Sequence, residues 1–352
     1  MARDKKPHKP VTLKAVAQHL GLTPGTVSTV LNGAPSSKSI PAETKNRIYA
    51  AAKELNYRPN FIARSLRKQR TYTIGVIAEE IGDPYGATII SGIEEYLRQK
   101  DYFFLTVIHR HQAELLKLYS RLLIDRGVEG LITVDTIMHE APTLPTVAVA
   151  GHGKMPGITN IVLDHNRAAF LALSHLSELG HKRIAFMRGN PVSSDSDARW
   201  ESICEVAQQI GVVIDPELTV QIDIDDSTPH LGYPFAKQLL ARKKPFTALF
   251  AFNDHSAMGA IRAFQEHGLR VPQDVSVMGF DDIPGSAFVT PSLTTIRQPL
   301  REMGQLAAKT LVERIENQTD DPAVIAIEPV LVIRESAIRL LGETPELRLG
   351  QA

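Results

Sequence analysis

The stretch that most constrains this chain is Thr12 to Asn32, TLKAVAQHLGLTPGTVSTVLN. Leu13, Val16, Ala17 and Leu20 recur at i, i+3, i+4 and i+7, the spacing of an amphipathic helix whose apolar stripe needs a partner. Thr12 is placed to cap that helix, and Gly21 permits a sharp turn after it. Thr23-Pro24 then reads as an N-cap followed by proline at the first helical position, so a second short helix begins at once. On it Val27, Val30 and Leu31 turn inward, Pro24, Gly25, Thr26, Ser28, Thr29 and Asn32 stay outside, and Asn32-Gly33 stops the helix. Two short helices about a glycine turn, the second with a small and polar outer face, describe a helix-turn-helix; an ordinary helical hairpin has the same pattern.

The charge distribution separates the two readings. Residues 1–70 hold 14 Lys and Arg against 3 Asp and Glu, and the rest of the chain is left with 25 against 36 although the totals are 39 and 39. A basic head on an acidic body fits a nucleic-acid-binding arm, because phosphate neutralisation supplies much of the affinity for DNA.

The 352 residues are 43% hydrophobic and 22% charged, ordinary for a soluble globular protein of two or three domains. No run of about 18 apolar residues occurs, the basic start MARDKKPHKP lacks an apolar h-region, and Cys204 is the single cysteine. A cytoplasmic, nucleoid-associated protein without a disulfide framework is expected. After GAPSSKSIP, a breaker cluster expected to be a loop, a third helix is predicted from Ala42 to Leu55 with Ile48, Ala51, Ala52 and Leu55 as its stripe. Three such helices close a core of roughly 45 residues, marginal by itself. Asn56-Tyr57-Arg58-Pro59-Asn60 breaks the pattern. FIARSLRKQR then reads either as a helix, with Ile62 and Leu66 on one face among Arg64, Arg67, Lys68 and Arg70, or as a solvated basic linker.

VTLKAVAQHLGLTPGTVSTVLNG, with AAKELNYRPNFIARSL after it, resembles the lactose-repressor (LacI/GalR) family of bacterial transcriptional regulators. The resemblance implies a small all-α helix-turn-helix headpiece at 1–57, a hinge helix or linker at 58–70 and an effector-binding core at 71–352. It implies that Pro24, Gly25 and Thr29 read base edges and that Thr26, Ser28 and Asn32 lie near phosphates. Thr12, Thr23, Asn56, Tyr57, Asn60, Ala63 and Arg64 complete the expected DNA-contacting set, and Leu66 matches the hinge leucine that wedges into the minor groove. Family members commonly carry arginine where this chain has Thr29, and arginine is the commonest reader of guanine. Fewer direct base hydrogen bonds are therefore expected here, with more reliance on methyl contacts and bending.

From Tyr72 the pattern alternates. TIGVIAE, TVIH, VEGLITV, IAFM, ALFAF and VSVMGF read as strands, interleaved with helices at 85–100, 112–126, 195–211 and 253–268. Such alternation means parallel sheets covered by helices, and about ten strands favour two sheets. By resemblance this is an α/β periplasmic-binding-protein-like core of two doubly wound parallel-sheet subdomains. The expected N-subdomain is 71–162 with 298–325, the C-subdomain is 163–297 with 326–340, and a tail follows at 341–352. Three crossings are expected, near Val162, Arg297 and Ala326.

Ligands of open parallel sheets bind beyond the carboxyl ends of the strands. Asp83 and Tyr85, Ser193 to Arg199, Asn253 and Asp254, and Asp281 and Asp282 fall at those ends. Arg199, Asn253 and Asp281 match family positions that contact the effector, and Asp83, Tyr85 and Ser193 join them as candidates. A guanidinium fork, an amide and a carboxylate suit vicinal hydroxyls or an anionic ring substituent. Against this, Asn253 and Asp281 or Asp282 also stand where helices begin, and Asn and Asp are favoured caps. Ala150 stands where sugar-binding members often carry aspartate, which puts a purely sugar-type pocket in question; His152 beside it is expected to be exposed. Trp200 is expected to face the core.

Other chemistry is not supported. Gly151-His152-Gly153 lacks the following helix of a dinucleotide fingerprint. His109 and His111 have no third ligand nearby, Asp223, Asp225 and Asp226 read as a solvated loop, and no catalytic elbow or Walker loop occurs. Neither a cofactor nor a metal is expected. The expected partners are a double-stranded, pseudo-palindromic DNA operator, a small polar effector such as a sugar or related metabolite, and a second copy in a homodimer. Leu341, Leu347 and Leu349 make no heptad, so a tetramerising coiled coil is not expected. The competing reading is a two-subdomain solute-binding protein or enzyme with an incidental basic head.

Overall fold

The computed structural model describes residues 11–57, 65, 69–140, 142–151, 155–191, 193–223, 228–317 and 322–340, and the chain divides into two compact units at Thr71 and Tyr72. In the first unit α1 (Leu13–Leu20), α2 (Pro24–Leu31) and α3 (Ala42–Glu54) surround one core of Val16, Ala17, Val27, Val30, Ile48 and Ala51. Gly21 ends α1 in the left-handed region at φ 66°, where an L side chain is strained, and its amide and that of Leu22 bond back into the helix. The segment expected to be a loop after Gly33 contains a single 3-10 turn, Pro35–Ser39. Proline supplies its starting φ, and the Ser39 hydroxyl donates back to the Ser36 carbonyl at 2.8 Å.

The second unit has twelve described strands rather than ten. The first sheet contains β1 (Thr73–Ala78), β2 (Phe103–Ile108), β3 (Gly130–Val134), β4 (Thr146–Val149), β5 (Ile158–Leu163) and β11 (Val324–Ile327), in the order β11-β5-β4-β3-β1-β2 and parallel throughout. On one face lie α4 (Pro84–Gln99) and α10 (Leu300–Asn317), packed through Ile89, Ile93, Met303 and Ala307; on the other lies α5 (Ala113–Asp125) with Leu116 and Leu123. α4 and α10 meet at two glycines. A Cβ on Gly92 would stand 2.0 Å from the Arg301 carbonyl oxygen, and one on Gly304 would stand 2.1 Å from that of Ile89.

The second sheet runs β12-β10-β9-β8-β6-β7. Its strands are β6 (Ile184–Arg188), β7 (Thr219–Gln221), β8 (Ala248–Phe250), β9 (Ser276–Asp281), β10 (Thr294–Arg297) and β12 (Val330–Val332). One face is covered by α8 (Tyr233–Ala241) and α9 (Asp254–Glu266), the other by α6 (His165–Glu178) and α7 (Ser194–Ile210).

The chain passes between the sheets after β5, β10 and β11. β5 continues through Leu163 and β11 through Ile327, so two crossings fall slightly later in the chain than Val162 and Ala326. β12 departs from the expected parallel order by pairing antiparallel with β10. It follows β11 without an intervening helix, so the chain enters the second sheet from its carboxyl edge and must run against its neighbour.

Candidate functional site

The headpiece presents α2 outward by simple helical geometry. Val27 and Val30 are buried, so Gly25, Ser28, Thr29 and Asn32, at i, i+3, i+4 and i+7, form the opposite stripe. Thr12 caps α1 by accepting the Ala15 amide at 3.2 Å, and Thr23 caps α2 by accepting the Thr26 amide at 3.1 Å. The hydroxyls of Thr23 and Thr26 lie 2.9 Å apart. The Asn32 amide donates to the Ser28 carbonyl at 2.7 Å and to its hydroxyl at 3.1 Å, which holds both side chains in place at the end of the helix. Pro24 and Gly25 are exposed, and Thr29 is half-buried. Asn56 is exposed in the left-handed region at φ 50°, while Tyr57 packs against the headpiece core, where burial pushes its phenol up. Asn60, Ala63, Arg64 and Leu66 lie outside the described residues, as do His152, Asp225 and Asp226.

In the core, the strand ends of the two sheets converge. Arg199, on the first turns of α7, is buried; its Nη2 donates to Asp195 Oδ2 at 2.8 Å and lies 3.9 Å from Asp281 Oδ1, and its Nη1 donates to the Phe252 carbonyl. The guanidinium carbon stands 3.7 Å from the centre of the Phe280 ring and 4.5 Å from that of Phe252. Asp281 accepts a 2.7 Å bond from Gln298, and burial pushes its carboxyl well up despite the Arg199 guanidinium. His165 lies 3.6 Å from Asp195. From the first sheet, Asp83 caps α4 by accepting the Tyr85 amide at 3.1 Å and reaches within 4.0 Å of His255 on α9. Tyr85 is buried beside the charges of Asp195, Asp135, Asp281 and Arg199; burial, then these carboxylates, push its phenol well up.

Other expected positions serve the scaffold. Asn253 forms a capping box with Ser256 at the start of α9, and Ser193 is the N-cap of α7 without a side-chain cap bond. Asp281 and Asp282 do not begin a helix. They end β9 and follow it at φ 106° and 57°, a left-handed turn that aims one carboxylate at Arg199 and the other at Arg297 and Arg334. Asp254 is wholly buried under this turn and accepts from the Ile283 amide and from the Ser286 and Thr295 hydroxyls. Ala150, also left-handed, is buried. Trp200 meets Phe186 edge-on and lies under Arg188, on the core side of α7. His109 bonds Thr136 and His111 pairs with Glu79, and no cluster of three metal-ligating side chains occurs among the described residues.

Asp195, His165, Asp135 and Gln298 were not singled out by the sequence. Asp195 had a local signal, since it precedes Arg199 by four residues on a predicted helix. Gln298 had none, because it arrives from a crossing segment. The cavity lined by Arg199, Trp200 and Phe252 measures about 10 Å³, no more than a water occupies. A groove of about 330 Å³ lies along α5, lined by Leu116, Ile124 and Met138. The chemistry argues for the charged junction as the site.

Residues 12–60 match the family described as bacterial regulatory proteins, lacI family, and residues 173–337 match the periplasmic binding protein-like domain. The HTH-type transcriptional repressor PurR of Pasteurella multocida (strain Pm70) is 34% identical over 334 residues, spanning 92% of this chain and 98% of that protein. Among solved structures, the Lac repressor dimer bound to operator and the anti-inducer ONPF superposes with a TM-score of 0.83 at 27% identity, covering 94% of this chain and all of the other. A CelR–cellobiose complex superposes with a TM-score of 0.68 at 27% identity over 93% of this chain and 99% of that one.

Proposed function

The chain belongs to the lacI family of bacterial regulatory proteins, and from that membership we propose how its parts divide the work of a DNA-binding transcriptional repressor with an effector-binding core. Two headpieces of a homodimer grip a pseudo-palindromic operator, each laying α2 in the major groove so that Pro24, Gly25 and Thr29 meet base edges. Thr26, Ser28 and Asn32, with Thr12, Thr23, Asn56 and Tyr57, lie along phosphates. The segment 58–70, with Asn60, Ala63, Arg64 and Leu66, acts as the hinge. A small polar effector binds at the junction of the two sheets, among Asp83, Tyr85, Ser193, Arg199, Asn253 and Asp281, and alters the angle between the subdomains and with it the hinge. The protein acts by binding rather than catalysis, in the cytoplasm; no described helix is long and apolar enough to cross a membrane.

The observation that carries this reading is the outward stripe of Gly25, Ser28, Thr29 and Asn32 on a helix capped at both ends and fixed by Val27 and Val30. Selection of genomic fragments by the full-length protein at fixed salt tests it. One recovered palindrome, lost on deleting residues 1–70, supports the reading. Retention without a shared motif, falling steeply as salt rises, would leave only non-specific electrostatics.

A further inference from the structure

The helix that reads DNA carries no charge of its own. Across α2, PGTVSTVL, there is neither a cation nor an anion, although phosphate neutralisation supplies much of the affinity of a protein for DNA. The charges that hold this helix in a groove must therefore stand on its flanks. The first lysine or arginine after it is Lys38, within the 3-10 turn Pro35–Ser39.

Two sets of bonds fix where that turn stands. The Gly33 amide donates to the Val30 carbonyl and the Ala34 amide to the Thr29 carbonyl, both at 3.1 Å, with Gly33 left-handed at φ 60°. This pair of bonds folds the chain back beneath the last turn of α2 on the side of Thr29, which belongs to the outward stripe. Beyond it the Ser37 amide donates to the Ala34 carbonyl at 2.7 Å, the Ser39 hydroxyl to the Ser36 carbonyl at 2.8 Å and the Ile40 amide to the Ser37 carbonyl at 3.1 Å. The Ile40 side chain then packs against the headpiece core. The turn is tied at both ends and within itself. Lys38 stands exposed on it, and its ammonium has no hydrogen bond or ion pair among the described residues.

The eight residues of α2 make a helix about 12 Å long, close to the width of the major groove, about 12 Å. With its N-terminal residues at the base edges, its C-terminal end reaches the groove wall. A turn hung on the outward side of that end meets the sugar-phosphate chain rather than the bases.

We infer that Lys38 is a further DNA-positioning residue: held by the Pro35–Ser39 turn, its ammonium neutralises one backbone phosphate beside the C-terminal end of α2 in each half-site. The inference rests on the reading of α2 as the helix that enters the major groove. Such a contact carries no sequence information; it fixes the depth and register of a helix that lacks a cation.

The test uses the full-length protein with its selected operator and with random DNA of the same length, and follows affinity over a fourfold rise in salt. Lys38→Gln removes one phosphate contact from each headpiece of the dimer. The slope of log affinity against log salt should become shallower by about 1.8, so that the decline over the fourfold rise is about twelvefold smaller than the parent's. The change should be equal on both DNAs, with the ratio of the two affinities unchanged. Lys38→Arg should keep the parent's slope. Because Lys38 makes no bond within the headpiece, Lys38→Gln should also keep the parent's circular dichroism and melting temperature. Operators carrying single methylphosphonate linkages locate the phosphate: one neutral linkage per half-site should weaken the parent and leave Lys38→Gln unaffected. An unchanged slope overturns the inference. So does a loss confined to the operator, which would mean a base contact, or a methylphosphonate series that weakens both proteins equally at every position. If the parent shows no preference for operator over random DNA, the regulator reading fails, while the salt slope on random DNA still decides whether Lys38 meets a phosphate.

Discussion

Replacing Asp254 by asparagine should make the core less sensitive to alkaline pH. Asp254 Oδ2 accepts the Ile283 amide at 2.9 Å and the Ser286 hydroxyl at 2.6 Å, and Oδ1 accepts the Thr295 hydroxyl at 2.6 Å. Burial outweighs these bonds and raises the carboxyl from 3.8 to about 6. The folded protein therefore holds this proton more tightly than the unfolded chain. Its contribution to stability is full below the unfolded value and declines as pH rises through about 6. A difference of about 2 pK units corresponds to roughly 3 kcal/mol in all, of which about 1.4 kcal/mol falls between pH 5 and 8. An asparagine oxygen can keep the Ile283 and Ser286 bonds, and the Thr295 hydroxyl can rotate to accept from the new NH2. Asp254→Asn should thus lie within about 1 kcal/mol of the parent at pH 5 and gain about 1.4 kcal/mol on it by pH 8. Asp254→Ala, which strands one amide and two hydroxyls, should lose roughly 3 kcal/mol or more at both. Urea unfolding followed by the fluorescence of Trp200, the only tryptophan, measures all three. A parent-to-Asn difference that does not change with pH, or that moves towards the parent at pH 8, refutes the argument.

Three other perturbations bear on separate links. Gly304→Ala places a methyl 2.1 Å from the Ile89 carbonyl oxygen, so α4 and α10 must separate; a loss of about 1–3 kcal/mol is expected in urea unfolding, and an unchanged midpoint would contradict the packing. Thr23→Ala removes the cap on the Thr26 amide at 3.1 Å and should lower headpiece stability by about 1 kcal/mol in thermal melts, with operator affinity falling in parallel. Leu66→Ala should weaken operator binding while leaving non-specific binding nearly intact, read by filter retention on operator and random DNA. An equal loss on both would defeat the wedge assignment.

The local elements were legible because each depends on residues near one another in the chain. The stripes of α1 to α3, the caps Thr12, Thr23 and Asn253, and the strand-helix alternation after Tyr72 all follow from spacing and side-chain chemistry within a few turns. The family motifs added the roles expected of Pro24, Gly25, Thr29 and Leu66, which spacing alone does not assign. Tertiary structure decided what meets what. Asp195 on α7, Asp281 at the end of β9 and Gln298 in a crossing segment form one bonded cluster because parallel strands deliver their carboxyl ends to the same edge from distant parts of the chain. It also turned Asp281 and Asp282 into a left-handed strand end instead of a helix cap, with buried Asp254 bracing the turn that follows. A local pattern can say that a carboxylate lies at a strand end, but its neighbours, and therefore its charge balance and its ligand, depend on strand order and on how the chain crosses between the sheets.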